Sequence, residues 1–274
     1  MNDRRELIKL QKWVEENWNI SEVALEKTAF GTSSGARIVR GKEKTYILRK
    51  LISCRQGITE YRIAEILSEE GVSPKIVPNC LGEAFSEFDG ACYNLQEYIS
   101  GKRITRCDEQ TVRLTAESVA RMHRNLSLLE MEDQLPDRFS LDKLMKNCDS
   151  ESRQWIHGDL GIWNFIQTED RAVIIDFGEC RRGSIYFDLA AVVTSLLSRE
   201  DSKEQKEVYF DIFEKVYEEY YQKICREKLL EFIQLWYLRG LFANAGAEEA
   251  INRSQMIRSF ALCLLETENY IGMK

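Results

Sequence analysis

Residues 155–165 read WIHGDLGIWNF, and IIDFGE follows at 174–179. His157, Gly158 and Asp159 are contiguous, Asn164 comes five positions after Asp159, and Asp176 closes an apolar run. Asn and Asp oxygens are hard donors that suit Mg2+, which takes its other ligands from water and phosphate. A loop carrying Asp159 and Asn164 lets both side chains face one cavity. The turn at Phe177-Gly178 aims the Asp176 carboxylate into the same place. Asp159, outside the metal shell, is then placed to orient an incoming hydroxyl. Phosphoryl transfer asks little more of a protein, because positioning and charge neutralisation lower most of the barrier.

The elements that must hold these residues follow from periodicity. Leu7, Leu10, Trp13, Val14 and Trp18 recur at helical spacing over Asp3 to Trp18. Three period-two segments follow at 21–30, 36–41 and 44–51, with Gly31-Thr-Ser-Ser-Gly35 as the turn between the first two. A helix is expected over 58–71, ending at Gly71, and further strands at 73–80 and 91–99. After Gly101 the character changes. A long helix is expected over 108–126, with Val112, Thr115, Val119, Met122 and His123 along one side. Two short strands bracket 164–167 and 172–176, and helices follow over 187–198, 203–228, 229–242 and 254–270. A β-rich segment followed by a mostly helical one is an α+β architecture of two lobes.

Bulk composition narrows the function. The chain has 274 residues, enough for a large core, and 44% of them are hydrophobic. The net charge of −7 lacks the basic footprint that nucleic acid requires. It suits a soluble surface and a cationic small substrate. The eight cysteines, at 54, 80, 92, 107, 148, 180, 225 and 263, form no CxxC and no cluster with histidine. Reduced thiols in a cytoplasmic protein are therefore expected. The charged N-terminus lacks the apolar core of a signal peptide, and no apolar run has the length of a membrane span.

HGDLGIWNF followed by IIDFGE resembles the signature of the aminoglycoside phosphotransferase and choline kinase group, relatives of protein kinases. The resemblance implies a two-lobed protein-kinase-like fold, with a nucleotide-binding lobe over 1–99 and a catalytic and substrate-binding lobe over 100–274. It implies Asp159 as the catalytic residue, Asn164 and Asp176 as metal ligands, and His157 and Asp188 as structural support of the loop. Tyr46 to Arg49 is similar to the strand whose basic residue holds the nucleotide phosphates; the group often has Lys where this chain has Arg49. Lys50 is one step out of register and belongs on the opposite face. Glu60 matches the helix glutamate that pairs with the basic residue. Leu95 to Gly101 resembles the hinge, where main-chain groups near Glu97 and Ile99 meet adenine. Gly31, Ser33 and Ser34 stand where the group has its phosphate-covering loop. ATP, or GTP, and Mg2+ are the implied cofactors.

Protein kinases proper are a poorer match. They normally carry Lys two residues after the catalytic Asp, where this chain has Gly161. Asp188 follows Asp176 after only twelve positions, and no APE comes later, which leaves no room for a long activation loop. A small-molecule hydroxyl is the expected acceptor, an aminoglycoside or related antibiotic first, with a role in resistance. Trp163, Glu179, Glu266 and Glu268 are then the acceptor contacts. A choline, ethanolamine or thiamine kinase is the alternative, with Trp236 and Tyr237 as an aromatic cage. A non-catalytic nucleotide-binding or scaffold protein of kinase fold is the third reading, and the complete Asp159, Asn164 and Asp176 set argues against it. No nucleic-acid or membrane partner is expected, and the chain is taken as a monomer or homodimer.

Overall fold

A computed structural model describes residues 2–28, 35–131, 153–245 and 253–272, so Gly31, Ser33 and Ser34 lie outside the described residues. Two compact units, Met1–Ser100 and Gly101–Lys274, divide the chain.

The first unit is built on an antiparallel sheet in the order β1 (Ala24–Lys27), β2 (Arg37–Arg40), β3 (Thr45–Lys50), β6 (Ala91–Glu97) and β4 (Ile76–Val77). β5 (Ser86–Phe88), too short to show a period, also pairs with β6. Leu48 and Leu95 stand opposite each other in the β3–β6 register. With Val39 they form one apolar cluster with Leu10, Val14 and Trp18 of α1 (Asn2–Trp18). Burying side chains of this size stabilises by about 1.5–3 kcal/mol each, which is why α1 keeps its apolar stripe on the sheet. The Trp18 indole N–H also donates to the Val77 carbonyl at 3.0 Å.

Helix α2 (Cys54–Leu67) starts at Ser53, whose hydroxyl accepts the Gln56 N–H. It ends earlier than Gly71. The Val72 N–H closes back on the Leu67 carbonyl at 3.0 Å, and Gly71 takes φ +69° in the turn beyond the helix. A disulfide joins Cys54 to Cys92 of β6. The expectation of eight reduced thiols is therefore corrected at this pair. Their separation of 38 residues gave no signal, and only the packing of α2 beside β6 brings the two Cα atoms to 5.6 Å.

The second unit carries the helices. Asp108 caps α3 (Glu109–Ser127), whose buried face contains Val112, Thr115, Val119, Met122 and His123. α4 (Ile185–Leu197) is buried over almost its whole length, as its apolar sequence requires. The helix expected over 203–228 ends early, as α5 (Lys203–Tyr220), and residues 226–228 instead open α6 (Arg226–Ala245), which takes in the helix expected over 229–242. The physical reason lies in side chains that satisfy the backbone where the helix stops. Glu218 accepts the Ile224 N–H, and the Tyr186 hydroxyl accepts the Cys225 N–H. Arg226 then ties the new helix to Asp211 and Glu214 of α5. α7 (Arg253–Tyr270) follows. Two small antiparallel groups complete the unit. β7 (Lys102–Arg103), β9 (Phe165–Gln167) and β10 (Ala172–Ile174) form one, and β8 (Gln154–Ile156) pairs with β11 (Arg181–Gly183) in the other. No helix among the described residues is long and apolar enough to cross a membrane.

Candidate active site

β8 ends at Ile156, and the next two residues are fixed from α4. The carboxylate of Asp188, wholly buried in the first turn of that helix, accepts the His157 N–H at 2.7 Å and the Gly158 N–H at 2.9 Å. His123 lies 3.3 Å from the same carboxylate through Nε2, and its Nδ1 is 2.8 Å from the Tyr217 hydroxyl. Burial acts to raise the Asp188 pKa, but opposing interactions, led by the hydrogen bond and charge of His123, leave it below the usual Asp value. A charged carboxylate at this depth is tolerable because both oxygens are hydrogen-bonded.

His157 uses both ring nitrogens on the backbone. Nε2 donates to the Ile175 carbonyl at 3.0 Å, and Nδ1 accepts the Asp159 N–H at 3.2 Å. It organises the loop and is not free to act as a base. Gly158 turns the chain at φ +83°, and a Cβ there would overlap Arg181 Nη1 and the Glu179 carbonyl. Arg181, 2% exposed, donates from Nη1 to the carbonyls of Gly158 and Glu179, each at 3.2 Å. The loop is thus held from below by a buried guanidinium and from behind by a buried carboxylate.

Asn164 and Asp176 meet through strand register. Phe165 pairs with Ile174 across β9 and β10, and the Ile175 N–H donates to the Asn164 carbonyl at 2.9 Å. Asn164 turns its amide nitrogen towards Asp159, 2.8 Å from the main-chain oxygen and 3.4 Å from Oδ2. Its Oδ1 has no hydrogen bond among the described residues. Asp176 adopts the left-handed region at φ +67°, ψ +61°, and its carboxylate makes no capping bond to the single 3-10 turn that follows. A side chain that only capped that turn would make such a bond. Two oxygen donors at one end of a ladder, one anionic and one neutral, fit Mg2+ completed by water and phosphate.

In the first unit, Arg49 Nη1 donates to Glu60 Oε1 at 2.8 Å, with the two side chains 12% and 2% exposed. Gln56 and Asn94 donate to the two Glu60 oxygens at 2.7 and 3.0 Å. Lys50 is exposed on the other face of the strand. The Glu97 N–H donates to the Lys75 carbonyl, and Glu97 and Ile99 are both half-buried.

The residues named for the acceptor do not gather in one place. Trp163 is 41% exposed, its indole N–H 3.4 Å from Asp159 Oδ2 and its ring stacked with Trp236 at 6.2 Å. Glu179 stands beside Asp159, and Arg239 of α6 joins them, its Nη2 3.0 Å from Asp159 Oδ1 and 3.0 Å from Glu179 Oε2. Glu266 is instead ion-paired with Lys206. Glu268 is half-buried on α7, and no described contact brings it to Asp159. Sequence reasoning missed Arg239, which lies eighty positions after Asp159 in an apolar helix, where no local pattern marks it.

The profile of the phosphotransferase enzyme family matches residues 127–223, a span that contains Asp159, Asn164, Asp176 and Asp188. No curated protein matches in sequence. Among solved structures, amicoumacin kinase hAmiN in complex with AMP-PNP, Ca2+ and Ami superposes with a TM-score of 0.73 at 16% identity, over 97% of this chain and 93% of that one. A microcompartment-associated aminopropanol kinase gives 0.67 at 14% identity, over 96% and 95%. Choline kinase LicA from Streptococcus pneumoniae gives 0.60 at 17% identity, over 94% and 98%. The fold is protein-kinase-like; the resemblance to the aminoglycoside phosphotransferases holds in sequence over residues 127–223, and the resemblance to the choline kinases holds in fold.

Proposed function

We propose that this chain is a phosphotransferase that moves the γ-phosphoryl group of ATP to a hydroxyl of a small molecule, an aminoglycoside or related antibiotic first. The observation that supports the reading is the loop at 157–164, fixed by Asp188, in which Asn164 bonds Asp159 and its carbonyl accepts the N–H of Ile175, the residue before Asp176. The first unit is assigned to the nucleotide, with Arg49 held by Glu60 to meet its phosphates and the main chain near Glu97 and Ile99 to meet adenine. The second unit is assigned to catalysis and the acceptor.

Asn164 and Asp176 would hold Mg2+, which when bound neutralises charge on the phosphates. Asp159 accepts the hydrogen bond of the acceptor hydroxyl and takes its proton as the new oxygen–phosphorus bond forms and the bond to the β-phosphate oxygen breaks. His157 and Asp188 keep that carboxylate in place and take no part in the proton's path. A choline-type cage has less support. Trp236 is only 9% exposed, with the Arg239 guanidinium 4.8 Å over its ring, and the Tyr237 hydroxyl is bonded to Thr267. The Trp236 ring, stacked with Trp163 and covered by Arg239, offers no open aromatic face to a quaternary ammonium.

The test is ATP consumption over a panel of aminoglycosides, peptide and macrolide antibiotics, choline, ethanolamine, thiamine and homoserine. Turnover with one of these, lowered about 10²–10⁴-fold by Asp159→Ala, is the expected result. Consumption that survives Asp159→Ala unchanged removes Asp159 from its role, and silence across the panel favours a non-catalytic kinase-fold protein.

A further inference from the structure

Asp159 has one ion pair among the described residues, and its partner comes from outside the loop. We propose that Arg239 is a positioning residue for phosphoryl transfer, supplied by α6, that fixes the Asp159 carboxylate and selects which of its oxygens takes the proton. This rests on the proposed function of the same site.

The two oxygens of Asp159 stand in different surroundings. Oδ1 is 3.0 Å from Arg239 Nη2, an ion pair in which the hydrogen bond of that nitrogen goes to Glu179. Oδ2 has only long contacts, 3.4 Å to the Trp163 indole nitrogen and 3.4 Å to Asn164 Nδ2. A cation held against one oxygen biases the rotation of the carboxylate and leaves the other oxygen, with its long contacts, to accept the hydroxyl. Oδ2 is therefore the atom that receives the proton while the hydroxyl oxygen bonds to phosphorus and ADP leaves.

Arg239 is itself held on two sides. Glu179 Oε2 lies 3.0 Å from the same Nη2, and Trp236 lies under the guanidinium at 4.8 Å. The side chain is 11% exposed, and a guanidinium gripped this way loses little freedom when it binds. The loop has no substitute for it. At Gly161 a side chain would collide with the indole of Trp163, so no cation can be carried at that position without moving the ring. The helix supplies what the loop has no room for.

The experiment is a double-mutant cycle on turnover, read both as MgATP hydrolysis to water and with an acceptor found in the panel. Arg239→Ala is expected to lower kcat about 10- to 100-fold, the cost of a misplaced catalytic group, with the KM for MgATP changed less than about twofold. Arg239→Lys should recover part of that loss. In the Asp159→Asn background, Arg239→Ala should cost nothing further, because the group it positions is already lost. Equal losses in both backgrounds, a change confined to KM, or a rise in kcat that would make Arg239 a brake each overturn the proposal. If Asp159→Ala leaves turnover intact, the reading of Asp159 fails and Arg239 fails with it. If Asp159→Ala abolishes turnover and the cycle shows no coupling, only Arg239 falls.

Discussion

Asp176 is one of four non-glycine residues with positive φ among the described residues. Such a conformation costs a side chain of order 1 kcal/mol, although Asp and Asn bear it better than others. Asp176→Gly should therefore leave stability within about 1 kcal/mol of the wild type while turnover collapses, as checked by denaturant melts beside ATP assays. Parallel losses of both would make Asp176 a structural residue. Asp188 behaves in the opposite way. Its folded pKa lies below the unfolded value of about 3.9, so its contribution is present above that pH and is lost as pH falls through the folded value. Asp188→Asn should be less stable than the wild type near neutrality, and the gap should narrow below about pH 4. A constant gap across that range would show that the charge is not what stabilises. At this scale the sequence marked His157, Asp159, Asn164, Asp176 and Asp188 as one local cluster, because they are close together and their spacing is chemical. It was silent on Arg181 and Arg239, whose roles exist only through contacts across turns and helices.

Elements decide where those residues point. Gly158 permits the turn between β8 and the loop, so Gly158→Ala must both force φ +83° on a side chain and displace Arg181 and the Glu179 carbonyl. A loss of at least 2 kcal/mol, roughly, is expected in denaturant melts, and an unchanged midpoint would contradict the described turn. In α2 the buried Glu60 accepts from Arg49, Gln56 and Asn94. Removing it with Glu60→Ala leaves a guanidinium only 12% exposed without this carboxylate, a change that costs about 3–5 kcal/mol when the pair is fully buried. Glu60→Gln should retain most of the stability but weaken nucleotide binding, which equilibrium titration with MgATP would show. The strands of the first unit other than β5 were legible because alternation is a local signal. The position of the break between α5 and α6 was not, since residues 221–225 are held by side-chain acceptors on Glu218 and Tyr186 rather than by Gly or Pro. The Cys54–Cys92 bridge was hidden for a related reason, being a product of packing rather than of spacing.

On the scale of the whole molecule, the division into a β-rich unit and a helical unit follows from a shift of period near Gly101, and the structure separates at Ser100 and Gly101. The helical unit holds the loop at 157–164 by a carboxylate that arrives thirty residues later in the chain. The amides of His157 and Gly158 have no strand partner in that bond; they have Asp188, and Asp188 is set in α4. The loop therefore has no stable shape of its own before that helix docks. Native-state hydrogen exchange should show the two loop amides opening with the same free energy as the core of α4, as one cooperative unit. Exchange of Gly158 well ahead of the helix would deny the link. If the two open together, a partly folded chain cannot be partly active: the site would be the last thing to form and the first to report that folding is complete.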